Sequence, residues 1–301
     1  MKNIVYKVET IGDLHEIAGL AKPNHPLFTI IDYSKVNVAN APESGSFVCG
    51  FYAVNFKKYC RLIYGRQYFD HQDGTLHCTA PEQVITFNRE NEEDSSEGWG
   101  LYFHPELIRN TCLGKRISEY HFFSYQENEA LHLSELEKQT LLILLKQMEI
   151  ECTANSDIYS HDLIVSNIEL LLNYCKRFYG RQFVTRTNHN QDLLVDFENF
   201  MNEHYATGKL MTVGIPSVKD CAEAMNFSPN YFNDLLKSKT GKSALDHIHY
   251  FLLEKAKNLL ISSNKKIDEV AYELGFKYPQ NFSKLFKNKV GVSPMNYRNN
   301  Y

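Results

Sequence analysis

The fold of this chain is decided by two stretches that repeat one pattern, Ser217-Val-Lys-Asp-Cys-Ala-Glu-Ala-Met-Asn-Phe227 and Lys266-Ile-Asp-Glu-Val-Ala-Tyr-Glu-Leu-Gly-Phe276. The copies are 49 residues apart, and the residues after them match at a spacing of 50, so the second copy has one extra residue in its turn. Such an internal repeat indicates a duplicated supersecondary unit. The matched pairs are Val218 with Ile267, Ala222 with Ala271, Met225 with Leu274, Phe227 with Phe276, Phe232 with Phe282, Leu236 with Phe286, Lys237 with Lys287, Gly241 with Gly291 and Ser243 with Ser293.

Each copy has the features of a helix-turn-helix unit. Ala222 and Ala271 supply a small side chain where the second helix crosses the first. Gly275, and Asn226 in the first copy, suit the left-handed backbone that ends a helix. The pattern therefore predicts a turn followed by a second helix in each copy. The signals that bound these second helices are Ser228 with Pro229, and Pro279, at the starts, and Gly241 and Gly291 at the ends.

The segment between the two units, Ala244–Ile261, is predicted to be one helix. Its apolar residues recur at helical spacing, and a helix of this length spans roughly 25 Å. A rigid spacer of that length suits two recognition helices in successive major grooves about 34 Å apart. The apolar positions are Leu245, Ile248, Leu252, Ala256, Leu259 and Leu260.

A longer signature begins in the second copy. It reads Ile267-Asp-Glu-Val-Ala-Tyr-Glu-Leu-Gly-Phe276, then Phe282-Ser-Lys-Leu-Phe-Lys287, then Gly291-Val-Ser-Pro-Met-Asn-Tyr-Arg298. This resembles the AraC/XylS family of transcription regulators, whose pattern is I-x-x-I-A-x-x-x-G-F, F-x-x-x-F-K and G-x-S-P-x-x-Y-R; only Val270 departs, conservatively. The resemblance implies that residues 191–301 are an all-α domain that binds promoter DNA sequence-specifically and acts on transcription by RNA polymerase.

Carried over position by position, the resemblance assigns the DNA contacts to the two recognition helices. Asn and Gln bond adenine N6 and N7, and Lys reaches guanine O6 and N7; other lysines face phosphates. The implied base contacts are Asn230, Asn233 and Asp234 in the first unit and Gln280, Asn281 and Lys284 in the second, and the implied phosphate contacts are Lys237, Lys239 and Lys287. Ser228 and Tyr231 complete the first DNA-binding face, and Lys277 and Ser283 the second.

Two residues depart from the family's usual pattern, one in the first unit and one in the spacer helix that follows it. Asp234 stands where the family often has a basic or neutral residue, and a carboxylate there repels phosphate but can accept from cytosine N4. Leu252 stands where the family tends to carry Arg. These departures predict that the second unit reads bases more strongly than the first.

The N-terminal part of the chain is predicted to form a separate α+β domain, residues 1–184. Short apolar stretches with turn signals predict a β-sandwich or barrel up to about residue 125, in which Phe47, Cys49, Phe51 and Ala53 share one face. Two long amphipathic helices follow within 134–179, the first opening with a Ser134–Glu137 capping box. They form either an intramolecular hairpin or a face for a second subunit of a homodimer. The polar stretch 185–190 is the predicted linker.

This part resembles the cupin-like sensor half of a subgroup of such regulators. The residues that carry the resemblance are Tyr64-Gly-Arg-Gln-Tyr68, Gly74-Thr-Leu76, Ala80-Pro-Glu-Gln-Val84, Gly98-Trp-Gly-Leu-Tyr-Phe-His-Pro105 and Ile168-Glu-Leu-Leu-Leu-Asn-Tyr-Cys175. Two roles stay open: a sensor of an unknown small-molecule effector, or a domain used only for dimerisation or protein contacts. Five aromatic residues either line an effector pocket or belong to the β core: Tyr52, Tyr64, Tyr68, Trp99 and Tyr102.

Composition narrows the class of protein. The chain has 301 residues and a formal net charge of −4, but residues 190–301 hold 14 Lys and Arg against 12 Asp and Glu, so the basic excess lies in the helix-turn-helix half. Seven scattered cysteines without a CxxC pair predict reduced thiols. The sequence has no membrane span or secretory signal, which predicts a cytoplasmic protein.

Enzyme chemistry has no recognisable motif here. The cupin metal pattern His-x-His is missing from the β region, and G-x-S-x-G, P-loop and H-E-x-x-H motifs do not occur. We therefore expect a protein that is not an enzyme and needs no metal or other cofactor.

Overall fold

The computed structural model describes residues 5–36, 44–58, 63–64, 67–68, 74–88, 97–153, 157–185 and 187–300. It separates into two compact units, Met1–Gln182 and Phe183–Tyr301. The predicted linker residues are helical where they are described, since one helix ends at Thr185 and the next starts at Thr187. The boundary between the units thus falls within a helix rather than in an extended connection.

The N-terminal unit contains two sheets. Strands β1, β3 and β8 form a three-stranded sheet, in which β1 and β3 are parallel, and β10, β7, β4, β9 and β2 form an antiparallel five-stranded sheet in that order. Strands β5 and β6 pair with each other. The strands are β1 Val5–Val8, β2 Phe28–Asp32, β3 Ser44–Cys49, β4 Tyr52–Lys57, β5 Ile63–Tyr64, β6 Gln67–Tyr68, β7 Thr75–Thr79, β8 Val84–Asn88, β9 Gly98–Phe103 and β10 Leu131–His132.

The period-two stretch around Phe51 is a corner rather than one strand. The chain leaves β3 at Cys49 and enters β4 at Tyr52, so it passes from one sheet to the other. Gly50 permits this turn because a Cβ there would lie 2.8 Å from the carbonyl oxygen of Glu9. Phe47, Cys49 and Phe51 nevertheless pack in one apolar cluster, as their alternation predicts.

Two long helices complete the N-terminal unit. Ser134 and Glu137 form the predicted capping box at the start of the first. Arg181 on the second donates to Glu137 at 2.8 Å, and buried Gln182 accepts from the backbone N–H of His132, so both helices are held within the unit. The helices of this unit are α1 Ile11–Ile17, α2 Pro105–Ile108, α3 Cys112–Arg116, α4 Glu135–Thr153 and α5 Ser160–Thr185.

The amphipathic helices α4 and α5 both leave apolar side chains exposed. Leu142 and Leu163 are exposed, whereas Leu144 on α4 is buried. On α4, Leu141, Leu145 and Met148 lie on a buried face, whereas Leu142 lies on a different, exposed face. Sequence periodicity alone did not separate these faces.

The C-terminal unit is all-helical, as predicted. The spacer helix α10 extends one residue beyond the predicted end, and its Leu245 is exposed while Leu253 is buried. Phe232, Leu252, Phe282 and Phe286 lie in the core. Besides α5, which ends in this unit, the helices are α6 Thr187–Ala206, α7 Lys209–Thr212, α8 Val218–Ala224, α9 Pro229–Thr240, α10 Ala244–Ser262, α11 Ile267–Glu273, α12 Pro279–Val290 and α13 Pro294–Asn299.

Candidate nucleic-acid interface

The two helix-turn-helix units, α8–α9 and α11–α12, are built with the same backbone hydrogen bonds. The N–H of Phe227 donates to the carbonyl of Ala222 at 2.9 Å, and the N–H of Phe276 donates to that of Ala271 at 2.9 Å. Asn226 and Gly275 have positive φ angles of 59° and 85° at these turns. The repeat predicted from the sequence is therefore a repeat of conformation.

The ends of the recognition helices α9 and α12 also match. Gly241 and Gly291 adopt the left-handed conformation and donate to the carbonyls of Lys237 and Lys287, both at 2.9 Å. The starts differ: the Ser228 hydroxyl caps α9, whereas α12 begins after Tyr278 without a side-chain cap. The N-cap residue is Ser228 in the first copy and Tyr278 in the second, and only the serine hydroxyl accepts from its helix.

The predicted contact residues of α9 have unequal access to solvent. Asn230 and Lys237 are exposed, and Asn233, Asp234 and Lys239 are half-buried. The Asn233 Oδ1 accepts from the backbone N–H of Ala244 at 3.1 Å, at the start of α10. The Asn233 side chain thus joins α9 to the spacer helix.

Two residues predicted to contact DNA from the first unit are buried. Ser228 is 4% exposed because its hydroxyl caps α9, accepting from the Tyr231 N–H. Tyr231 is 3% exposed, stacks on Phe227 and meets the edge of Phe183. We correct both assignments, since a side chain committed to the core cannot present itself to DNA.

Recognition helix α12 presents a more open and more basic face. It carries three lysines and no acidic residue, whereas α9 carries two lysines and Asp234. Among the predicted contacts of the second unit, only Ser283 is half-buried. The exposed members are Lys277, Gln280, Asn281, Lys284 and Lys287.

One exposed aromatic residue of this face was missed by sequence reasoning. Tyr278 is 50% exposed just before α12, and the ammonium of Lys277 lies 5.6 Å from its ring centre. The extra residue in the second turn was the signal that could have found it. Tyr278 adds an amphipathic side chain beside Gln280.

The third lysine of α12 has a structural partner. The Lys289 Nζ lies 2.8 Å from Asp246 Oδ1 at the start of α10. Hydrogen bonds from Lys289 and then from Ser243 lower the pKa of Asp246 below its usual 3.8. Burial lowers the pKa of Lys239, because desolvation disfavours its charged form. Lys284 and Lys287 are thus the exposed cations of α12 that the predictions assign to DNA.

The five aromatic residues predicted for an effector pocket do not line one site. Trp99 stacks on Phe56 beside a groove between the five-stranded sheet and α4, which we call the sheet–α4 groove. Tyr102 packs against Phe51 on the opposite side of the sheet, with its hydroxyl 3.1 Å from that of Tyr33. Tyr52 packs against Phe103 and Phe123. The side chains of Tyr64 and Tyr68 lie outside the described residues.

The described residues form neither a metal-ligand cluster nor a membrane-spanning helix. Within the described part of the chain, no three His, Cys, Asp or Glu side chains are grouped as metal ligands. None of the described helices is both long and apolar enough to cross a bilayer.

Comparison with known proteins adds a family relationship. A family model described as a helix-turn-helix domain matches residues 221–300. An uncharacterised HTH-type transcriptional regulator of Escherichia coli (strain K12) is 31% identical over 44% of this chain and 44% of its own. The lactose operon transcription activator of Staphylococcus xylosus is 22% identical over 79% of this chain and 81% of its own.

A solved DNA-binding domain is similar to part of the chain. The DNA-binding domain of AdpA, solved with a target DNA, is 30% identical, covering 29% of this chain and 78% of its own, with a TM-score of 0.28. Several curated HTH-type regulators, from Escherichia coli and Bacillus subtilis, are matched over less than half of their own length. Residues 221–300 are thus an AraC-type helix-turn-helix domain, and the curated relatives of this chain are HTH-type regulators.

Proposed function

We propose that this protein is a sequence-specific, DNA-binding transcription regulator that places α9 and α12 in successive major grooves. The observation that carries the proposal is the duplicated helix-turn-helix with matched turns. In addition, α12 has no acidic side chain. The 19-residue spacer helix α10 supports the spacing, since its length of about 28 Å approaches one turn of DNA.

The two recognition helices have different roles in this proposal. Gln280, Asn281 and Lys284 read base edges from the exposed face of α12. In α9, Asn233 bonds to the spacer helix, and Asp234 places a carboxylate near phosphates. We infer that the first unit mainly positions the protein, with Lys237 on the DNA backbone.

The N-terminal unit is proposed to be a cupin-like sensor of a small-molecule effector. Its sheets hold an apolar cluster, and the five-stranded sheet lies against α4 and meets α5 at β10, an arrangement that supports that role. Effector binding would change promoter occupancy and thereby transcription by RNA polymerase. The alternative is a unit used only for dimerisation or protein contacts.

A homodimer is proposed to form along α4. Leu136, Ile143 and Ile150 are 74%, 63% and 46% exposed and recur every seven residues. That spacing forms one seam on a helix, the pattern by which two helices pack together. A second copy of α4 supplies a matching seam.

The DNA-binding proposal is tested by gel shifts of the full chain on promoters of the producing organism. Binding at fixed salt, with affinity that falls steeply as salt rises, is expected because lysines displace counterions from phosphates. Absent or salt-independent binding to all these promoters contradicts the proposal. A response of DNA affinity to a metabolite separates the sensor role from the dimerisation-only alternative.

A further inference from the structure

The sheet–α4 groove is large enough for a small molecule. Its volume is about 600 Å³, within the range of roughly 300–1,000 Å³ typical of ligand sites. The groove lies wholly within the N-terminal unit. Its lining includes Ile30, Phe56, Trp99, Lys138, Leu142 and Leu145.

The floor of the groove is apolar and aromatic. The rings of Phe56 and Trp99 face each other across β4 and β9, with centroids 5.9 Å apart and an interplanar angle of 24°. Ile30 from β2 adjoins them on the sheet side, and Leu142 and Leu145 line the wall from α4. Such a surface favours a flat apolar body about the size of one ring.

Lys138 is the least exposed lysine of the groove. The Lys138 side chain is 11% exposed, and its ammonium lies 5.8 Å from the centre of the Phe56 ring. Lys58 and Lys146 also line the groove, but their side chains are 45% and 69% exposed. A half-buried ammonium gains more from a negative partner than an exposed one does, so an anion gains most beside Lys138.

The present partner of Lys138 is replaceable. Glu135 contacts it at 2.6 Å but is itself 74% exposed in the first turn of α4. Its carboxylate can therefore move into solvent with little loss of packing, while Lys138 stays over Phe56. A ligand carboxylate entering along the ring takes over this contact and brings its apolar body onto the aromatic floor.

We propose that the sheet–α4 groove binds a small molecule with one carboxylate and an apolar, ring-sized body. The carboxylate pairs with Lys138, and the body covers Phe56 and Trp99. The role of this groove as an effector site rests on the proposed control of DNA binding by the N-terminal unit. The groove side of α4 adjoins the seam of Leu136, Ile143 and Ile150, which gives a bound ligand a route to the dimer.

Trp99 is the single tryptophan of the chain, so its fluorescence reports on this groove. The full chain is titrated with 3-phenylpropionate and with the neutral 3-phenylpropionamide. We expect both probes to change the Trp99 emission, and the carboxylate to bind about tenfold more tightly. Lys138→Met should remove that preference and leave amide binding unchanged, because methionine still packs over Phe56. Glu135→Gln should strengthen carboxylate binding, because it removes the competing charge.

Lys146→Met is the matched control, since Lys146 lines the same groove but is exposed; it should keep the preference. Equal affinity for both probes, a preference that survives Lys138→Met, or no response of Trp99 to either probe overturns the proposal. If Lys138→Met fails to fold by circular dichroism, Glu135→Gln decides. Gel shifts of the same proteins without probe test the proposed function separately, so DNA binding without probe binding refutes the groove proposal alone.

Discussion

Asn233 on the first recognition helix accepts a hydrogen bond at 3.1 Å from the backbone N–H of Ala244, the first residue of the spacer helix. This side chain occupies a position that the family resemblance assigns to base reading. A half-buried amide committed to a backbone N–H has less freedom to meet adenine. The bond therefore distinguishes the first unit, which is tied to its scaffold, from the second.

Asn233→Ala tests this structural role. We expect a loss of about 1 kcal/mol in the free energy of unfolding, because the Ala244 N–H loses its partner. DNA affinity should fall similarly for all sequences. Urea unfolding and anisotropy titrations measure both effects. Ser238→Ala, on the exposed side of α9, is the control for stability; a loss of preference at a single base pair in Asn233→Ala would refute the structural role.

Gly275 should be far less replaceable than Gly241. Both have positive φ, which costs a residue with a Cβ roughly 1–2 kcal/mol, but only at Gly275 would a Cβ also meet backbone, 2.7 Å from the Leu210 carbonyl. Gly241 has open space around the same position. We expect Gly275→Ala to lower the thermal midpoint clearly more than Gly241→Ala. Equal losses would show that the approach of α7 to this turn is wrong.

The Asp246–Lys289 pair predicts a pH dependence. The pKa of Asp246 is lowered in the folded protein, so the pair stabilises above the ordinary carboxyl pKa near 3.8 and is lost as pH falls through the lower, folded value. The side chains of Lys289 and Asp246 are 48% and 40% exposed, which limits the effect at pH 7 to about 0.2–1 kcal/mol.

Asp246→Asn should therefore lose less stability than the parent protein when urea unfolding at pH 5 is compared with pH 3. Lys289→Met removes the same pair but keeps the carboxylate and its hydrogen bond from Ser243, so its loss of stability at pH 7 should be no larger than that of Asp246→Asn. If Asp246→Asn keeps the full acid sensitivity of the parent, this carboxylate does not contribute as described.

Ile143→Glu should dissociate the proposed homodimer. A charge at the centre of the α4 seam, where Ile143 is 63% exposed, opposes burial against a second copy without disturbing the core of the unit. Sedimentation equilibrium should give the mass of one chain for the variant and of two for the parent. Leu163→Glu, exposed on α5, should remain dimeric; a parent protein that is already monomeric would contradict the seam.

The C-terminal unit could be predicted closely because local signals there agree. Asn226 and Gly275 stop their helices in the left-handed conformation, and Gly241 and Gly291 do the same after the recognition helices. The corner at Gly50 was missed because alternation continues through it, and the close approach of the Glu9 backbone, which leaves no room for a Cβ there, has no local sequence signal.

The sites were harder to predict than the helices. A helical position identifies a face but not a hydrogen-bond partner, so the roles of Asn233 and Tyr231 required the packing around them. The sheet–α4 groove joins Ile30, Trp99 and Lys138 from separate elements. Local residue spacing cannot predict that these residues lie together, because their proximity depends on how α4 packs on the sheet.

The central claim is that α12 reads bases while α9 positions the protein, and relative affinities for all single-base variants of a bound operator test it most directly. Lys284→Ala should relax the preference at one base pair, by about 1–3 kcal/mol. Lys237→Ala should weaken binding to every variant alike and reduce the salt slope by about 0.9. An unchanged preference in Lys284→Ala, or a base-specific loss in Lys237→Ala, would contradict the claim.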